Sequence, residues 1–153
     1  MPVNVVAPYL LTALLPGPRR TVYLSSSPHL SGRPSLAAGV NWQGASAGSY
    51  ADSELFVTTL AAAVARLRPE VLSNAVDPGR VPTRMGGPDA PDDLELGPRT
   101  QERLAVSNEP EARTTGGYWY HRRSEQPHPA VHDEAFQDRL LRALAEEMGV
   151  ALG

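Results

Sequence analysis

The chain has 153 residues, 41% of them apolar, and a formal charge of −3. That is enough sequence for one domain with a sizeable core, and nothing in the charge asks for nucleic acid or an acidic surface as partner. There is no cysteine, and all 14 residues counted as Lys+Arg are arginine, so disulfides, thiolate metal sites, cysteine nucleophiles, Schiff-base lysines and a phosphate-cradling P-loop lysine are excluded within this sequence.

The run VVAPYLLTALL, residues 5–15, is too short for a membrane span and is interrupted by Pro8. It lacks the basic leading region and the small-residue cleavage site of a signal peptide. A buried helix over residues 1–15, with Asn4 on its first turn and Pro16-Gly17-Pro18 at its end, is the better reading, and a soluble cytoplasmic protein is the default. RTVYLSSS, residues 20–27, is a β-branched and aromatic run that passes into serines, as a buried strand with a polar tip does. Gly, Ser, Pro and Ala dominate residues 28–48, with an isolated VNW at 40–42, which predicts a long loop of the kind that carries function.

SYADSELFVTTLAAAVARL, residues 49–67, is the clearest helix. Tyr50, Leu55, Val57, Leu60, Ala61, Val64 and Leu67 recur at helical spacing, Ser49 or Asp52 can cap it, and Arg66 and Arg68 complement the dipole before Pro69 stops it. Tyr50 and Glu54 are i and i+4, so they share one side of the first turn. VLSNAVDPG, residues 71–79, reads as a second strand closed by a Pro-Gly turn, and residues 86–93 as a surface excursion. A modest helix over 96–107, an aromatic strand GGYWYH over 116–121, a loop RRSEQPHP and an amphipathic helix over 132–148 complete the chain.

Alternation of this kind predicts an α/β protein, a partial Rossmann-like, doubly wound parallel sheet of about three strands with flanking helices. Three parallel strands look like one end of a larger sheet.

Several patterns invite chemistry and have plainer explanations. Gly44-Ala45-Ser46-Ala47-Gly48 fits the GxSxG elbow of serine hydrolases, with Asp77 and His128 or His132 following in triad order, but only a weak strand precedes it. His128 and His132 are spaced as zinc ligands, although Pro129 and Asp133 make ordinary helix-start sense there. His29 is expected to be solvated or loop-ordering, Tyr118, Trp119 and Tyr120 to be strand packing, and the acidic run 89–95 to be solvated surface.

Four features recur in one order: Asn4 in VNVVAPYLLTALL, Ser26 at the end of RTVYLSSS, Tyr50 in YADSE, and the DPGRVPT run from Asp77 to Thr83. In this order and context they resemble the C-terminal half of a short-chain dehydrogenase/reductase, most like the retinol-dehydrogenase-like members. The resemblance implies that Tyr50 exchanges a proton with an alcohol or carbonyl oxygen, that Ser26 hydrogen-bonds that oxygen, that Asn4 positions a relay water, and that Pro78, Gly79, Val81 and Thr83 lie beside the nicotinamide of NAD or NADP. It also implies that the helices over residues 1–15 and 50–67 can pair this chain with itself or with an intact relative. The family's lysine four residues after the tyrosine is Glu54 here, a reversal of sign at the catalytic position. Unit charges ~5 Å apart at an effective dielectric of ~20 interact by roughly 3 kcal/mol, enough to drive a tyrosine pKa upward. No glycine-rich turn for the pyrophosphate follows a strand. The expectation is therefore a half-domain, single but partial over 1–153, weakly active or inactive alone. A pseudoenzyme or dimerisation module is the alternative, and a serine esterase a distant one.

Overall fold

The computed structural model describes residues 1–15, 17–36, 40, 42 and 49–152. The chain opens in a wide π turn, Pro2–Val6, that runs into α1, Ala7–Leu14. Pro8 has no N–H to donate to the Asn4 carbonyl and its ring crowds that carbonyl, which the wider turn accommodates. β1, Arg20–Leu24, leads through a short 3-10 turn, Ser27–Ser31, toward α2, Tyr50–Leu67. β2 is Leu72–Asp77, α3 is Arg99–Val106, β3 is Tyr118–Tyr120, β4 is Arg123–Glu125 and α4 is Glu134–Met148. The sheet order is β1-β2-β3-β4, parallel between the first three strands and antiparallel between β3 and β4.

The α/β expectation holds, with one strand more than expected: Arg123–Glu125 belongs to RRSEQPHP, read as loop. His121 and Arg122 adopt φ of 44° and 67°, and this left-handed pair folds the chain back as a hairpin. Left-handed backbone at two consecutive non-glycine residues has no periodic signature, so the polar strand was invisible.

α2 has the bounds expected of it. Ser49 is its N-cap, and with Asp52 it forms a reciprocal capping box: Asp52 N donates to Ser49 Oγ at 3.0 Å and Ser49 N to Asp52 Oδ2 at 3.1 Å. The helix is not amphipathic, however. Every residue from Asp52 to Val64 is buried, while Tyr50 and Leu67, assigned to the core face, are exposed. Thr58 and Thr59 return their hydroxyl protons to the Glu54 and Leu55 carbonyls, and the Ser73 hydroxyl donates to Ala61 O at 2.7 Å, so small polar residues pass as core.

One core, on the side of the sheet where α2 lies, joins Val5, Tyr9, Leu55, Phe56, Leu60, Val64, Phe136, Leu140 and Leu144. A smaller one of Val76, Leu104 and Trp119, with Val22, packs α3. Asp133 caps α4 through the Ala135 and Phe136 amides, and Gly149 ends it in left-handed backbone at φ 67°.

Asp52 also binds the Arg33 guanidinium at 2.9 Å and the Arg33 amide at 2.8 Å. Burial raises its pKa, but the Arg33 and Ser49 hydrogen bonds outweigh this and bring it from 3.8 to about 2. A carboxylate depressed in the folded state stabilises above its unfolded pKa, and that stability is lost as pH falls from 3.8 toward 2. Because Arg33 is 76% exposed and screened, Asp52→Asn is expected to lower stability at pH 7 by about 1–2 kcal/mol. The deficit shrinks below pH 3, as paired urea titrations will show.

Candidate active site

The sheet's C-terminal strand ends open into a cleft of about 860 Å³, with Ser26 and Ser27 after β1, Asp77 at the end of β2, Pro78 to Val81 and Thr83 beyond it, and Tyr118, Tyr120 and Glu125 from the β3–β4 hairpin around it. Tyr50, at the start of α2, completes the lip. This is where ligands bind in open parallel sheets, because the strand ends and helix starts meet there without side-chain filling.

Asp77 builds the floor. Its Oδ2 accepts from Ser27 N at 2.7 Å and Tyr118 Oη at 3.2 Å, and its Oδ1 from Gly79 N at 2.8 Å, which ties the end of β1 to the Pro-Gly turn. Gly79 is needed there because its φ is +80°. Beneath Ser26 lies His29, which is 0% exposed, a correction to the solvated reading. Its Nδ1 donates to Ser26 O at 2.9 Å and its Nε2 accepts from His128 N at 3.2 Å, so the ring is the neutral Nδ1-H tautomer. Burial lowers its pKa, so its ordering role rests on the uncharged form.

Of the residues singled out in the sequence, Ser26, Tyr50, Pro78, Gly79, Val81 and Thr83 share this cleft. Asn4 and Glu54 do not line it. Asn4 Nδ2 donates to Glu54 Oε1 at 2.9 Å and to Ser53 Oγ at 3.1 Å, and Glu54 is only 4% exposed. Burial drives the Glu54 carboxyl from 4.5 to about 7, against a lowering hydrogen bond with Tyr50 and with further elevation by Asp77. The Tyr50 phenol is also raised. Burial is the first cause, a Ser26 hydrogen bond opposes it, and the Glu54 and Asp77 charges add to it. The Glu54 charge thus raises the Tyr50 phenol in the direction expected from the sequence, but burial leads.

Sequence reasoning missed Asp92, which was assigned to solvated surface but accepts hydrogen bonds from Arg80 N and Tyr120 Oη. Nothing local marks it. Tyr118 and Tyr120 had a signal in strand alternation, which puts both rings on the cleft side and Trp119 against Leu104. The GxSxG stretch 44–48 lies outside the described residues. His128 Nδ1 accepts from Ala130 N as a turn cap, and among the described residues no three His, Asp or Glu side chains are grouped to hold a metal. No helix among them is long and apolar enough to cross a membrane.

No family model matches the chain. Individual relatives do. It is 32% identical to "Short-chain dehydrogenase chry4" of Gibberella zeae and 31% identical to "Short-chain dehydrogenase chyC" of Penicillium rubens, in each case over 98% of this chain and 60% of the relative. The chain is a homologue of the short-chain dehydrogenases/reductases. "Uncharacterized oxidoreductase AN7799" of Emericella nidulans is 32% identical over 98% of the chain and 58% of its own length. A crystal structure of a putative uncharacterized protein from Mycobacterium paratuberculosis superposes with a TM-score of 0.75 at 18% identity over 98% of this chain and 58% of that one, which shows a shared fold alone. The resemblance carried by Asn4, Ser26, Tyr50 and the 77–83 run is thereby borne out at the level of the family. The chain spans about 60% of the length of the short-chain dehydrogenases it matches.

Proposed function

We propose that this chain is the substrate-facing, C-terminal part of an NAD(P)-dependent oxidoreductase acting on an alcohol or carbonyl, with little or no turnover by itself. The observation that carries the reading is Tyr50 and Ser26 at the lip of one cleft whose other wall is the 78–83 segment. A bound nicotinamide supplies or receives hydride at the substrate carbon. In the reducing direction, Tyr50 Oη gives its proton to the carbonyl oxygen while Ser26 Oγ donates a hydrogen bond to the same oxygen. Tyr50 is 58% exposed, so solvent can return its proton.

The residues present fit the nicotinamide end of the cofactor. Thr83 Oγ1 accepts from Gly86 N at 3.1 Å, which leaves its hydroxyl proton to donate to a carboxamide, and Pro78, Gly79 and Val81 offer a wall of backbone and small apolar groups. They do not supply the family's ribose contact, since Glu54 is buried against Asn4 and does not line the cleft. Among the described cleft residues Asp77, Asp92 and Glu125 face a single arginine, Arg80, a poor setting for phosphates.

Titrating NADH and NADPH while following energy transfer from tryptophan tests the reading: saturable transfer is expected, with weak affinity, and none at millimolar cofactor would remove it. When a glycine-rich dinucleotide-binding unit is supplied in trans, Glu54→Lys is expected to raise the dehydrogenase rate at least about tenfold, equivalent to about 1.4 kcal/mol. An unchanged rate would take Glu54 out of the account.

A second reading, an interaction module, is favoured by the free side of β1. Among the described residues that strand has no neighbour on its outer edge, and a groove of about 540 Å³ lined by Val3, Leu11, Leu15, Val22, Leu24 and Val57 runs beside it. Leu11, Leu15 and Leu24 are 58%, 55% and 59% exposed, apolar surface that a further parallel strand would cover. Light scattering at rising concentration checks it: a dimer that Leu24→Lys dissolves supports the module, and a monomer throughout counts against self-pairing.

A further inference from the structure

We propose that Asp92 is the positioning residue of the cleft, a carboxylate strut that couples the 78–83 wall to the β3–β4 hairpin and so sets the width across which a ligand is held. The inference rests on the cleft being the ligand site, as proposed above, and deepens that reading. Oδ2 accepts from Arg80 N at 2.6 Å on the wall. Oδ1 accepts from Tyr120 Oη at 3.0 Å and lies 3.3 Å from His121 Nε2 on the hairpin. The Asp92 amide donates in turn to Arg80 O at 3.1 Å, so wall and strut are joined both ways.

The surrounding geometry is built around this contact. A Cβ on Gly79 would fall 2.9 Å from Asp92 Oδ2 and 3.1 Å from His121 Cε1, so wall, strut and hairpin meet where only a glycine fits. His121 reaches Asp92 from the left-handed corner between β3 and β4, and that corner is pinned from behind by Arg122 N donating to Thr100 Oγ1 at 2.9 Å. The Asp92 side chain is 20% exposed, shielded enough for its hydrogen bonds to count, and donors from both sides hold its carboxyl below the usual range despite the contrary effect of burial. The segment between β2 and α3 has no strand or helix of its own, so its placement depends on such side-chain contacts.

Asp92→Leu keeps the bulk but removes both acceptors, leaving Arg80 N and Tyr120 Oη without this partner. Because the chain has no cysteine, spin labels can be placed at Met85→Cys on the wall and Gln126→Cys beyond the hairpin, with no competing thiol. Pulsed electron resonance is expected to give one narrow distance distribution in the otherwise native chain and one at least about twice as wide in Asp92→Leu, with melting temperatures within a few degrees; Asp92→Glu, which keeps the charge at a longer reach, should lie between. Where the native chain binds reduced cofactor, Asp92→Leu should weaken it about tenfold. Equal distance distributions overturn the proposal, as does a widened cleft with unchanged cofactor affinity. A native chain that binds no cofactor sinks the oxidoreductase reading, while the distance measurement still decides on Asp92.

Discussion

Replacing Glu54 with glutamine is expected to stabilise the protein by about 3 kcal/mol at pH 8–9 and by nothing at pH 4, because the native carboxyl titrates at about 7 instead of 4.5. The sign follows from proton linkage. A carboxyl whose folded pKa is raised favours the folded state fully below its unfolded value, and that contribution drains away as pH rises through 4.5 and on to about 7. Above that, a charge at a position only 4% exposed must be carried with the Asn4 amide as its neutral donor. Glutamine keeps an oxygen for Asn4 Nδ2 and removes the titration. Urea unfolding of both proteins at several pH values gives the difference directly; parallel curves at every pH would show that Glu54 is solvated. His29 acts at the other end. Its pKa is depressed, so its contribution is present above 6.5 and lost as pH falls below that, and between 4.5 and 6.5 the two titrations pull stability in opposite directions.

Phe136→Ala should be the most damaging single truncation, at about 3–5 kcal/mol, a large share of a typical domain's stability. Phe136 is 0% exposed, and its ring packs 6.0 Å from Phe56, which in turn meets Trp42 at 6.1 Å. This aromatic chain docks α4 onto α2, and α2 carries Tyr50. A cavity there cannot collapse easily because α2 is already held against the sheet by the Ser73 bond to Ala61. Thermal unfolding followed by circular dichroism provides the measure; a loss under about 1 kcal/mol would mean that α4 docks loosely.

Glu54 sits one turn from Tyr50 without lining the cleft. The i and i+4 spacing sets Tyr50 and Glu54 on one side of α2, yet the first turn emerges from the protein between them. Tyr50 stands at 58% exposure and Glu54 at 4%, so neighbours in the helix occupy different dielectric surroundings. Burial first, and then the Asp77 charge, raise the Glu54 carboxyl to about 7, so at neutrality it carries only part of its charge.

The amino-acid sequence by itself determined what depends on neighbours in the chain. The α2 boundaries followed from Ser49 and Pro69 and the parallel α/β order from alternating periodicities, while the grouping of Ser26, Tyr50 and the 78–83 run was what the family resemblance implied. Tertiary structure alone decided what depends on contacts between distant segments. The burial of α2 on every side, the neutral His29 beneath Ser26, the turning of Glu54 toward Asn4, and the capture of Asp92 by Arg80 and Tyr120 each join residues 12 to 99 positions apart. The physical reason is that exposure and dielectric belong to the assembled surroundings. A carboxylate in an acidic run and a carboxylate in a helix look alike in sequence, and only packing makes one a strut and the other a half-neutral acid.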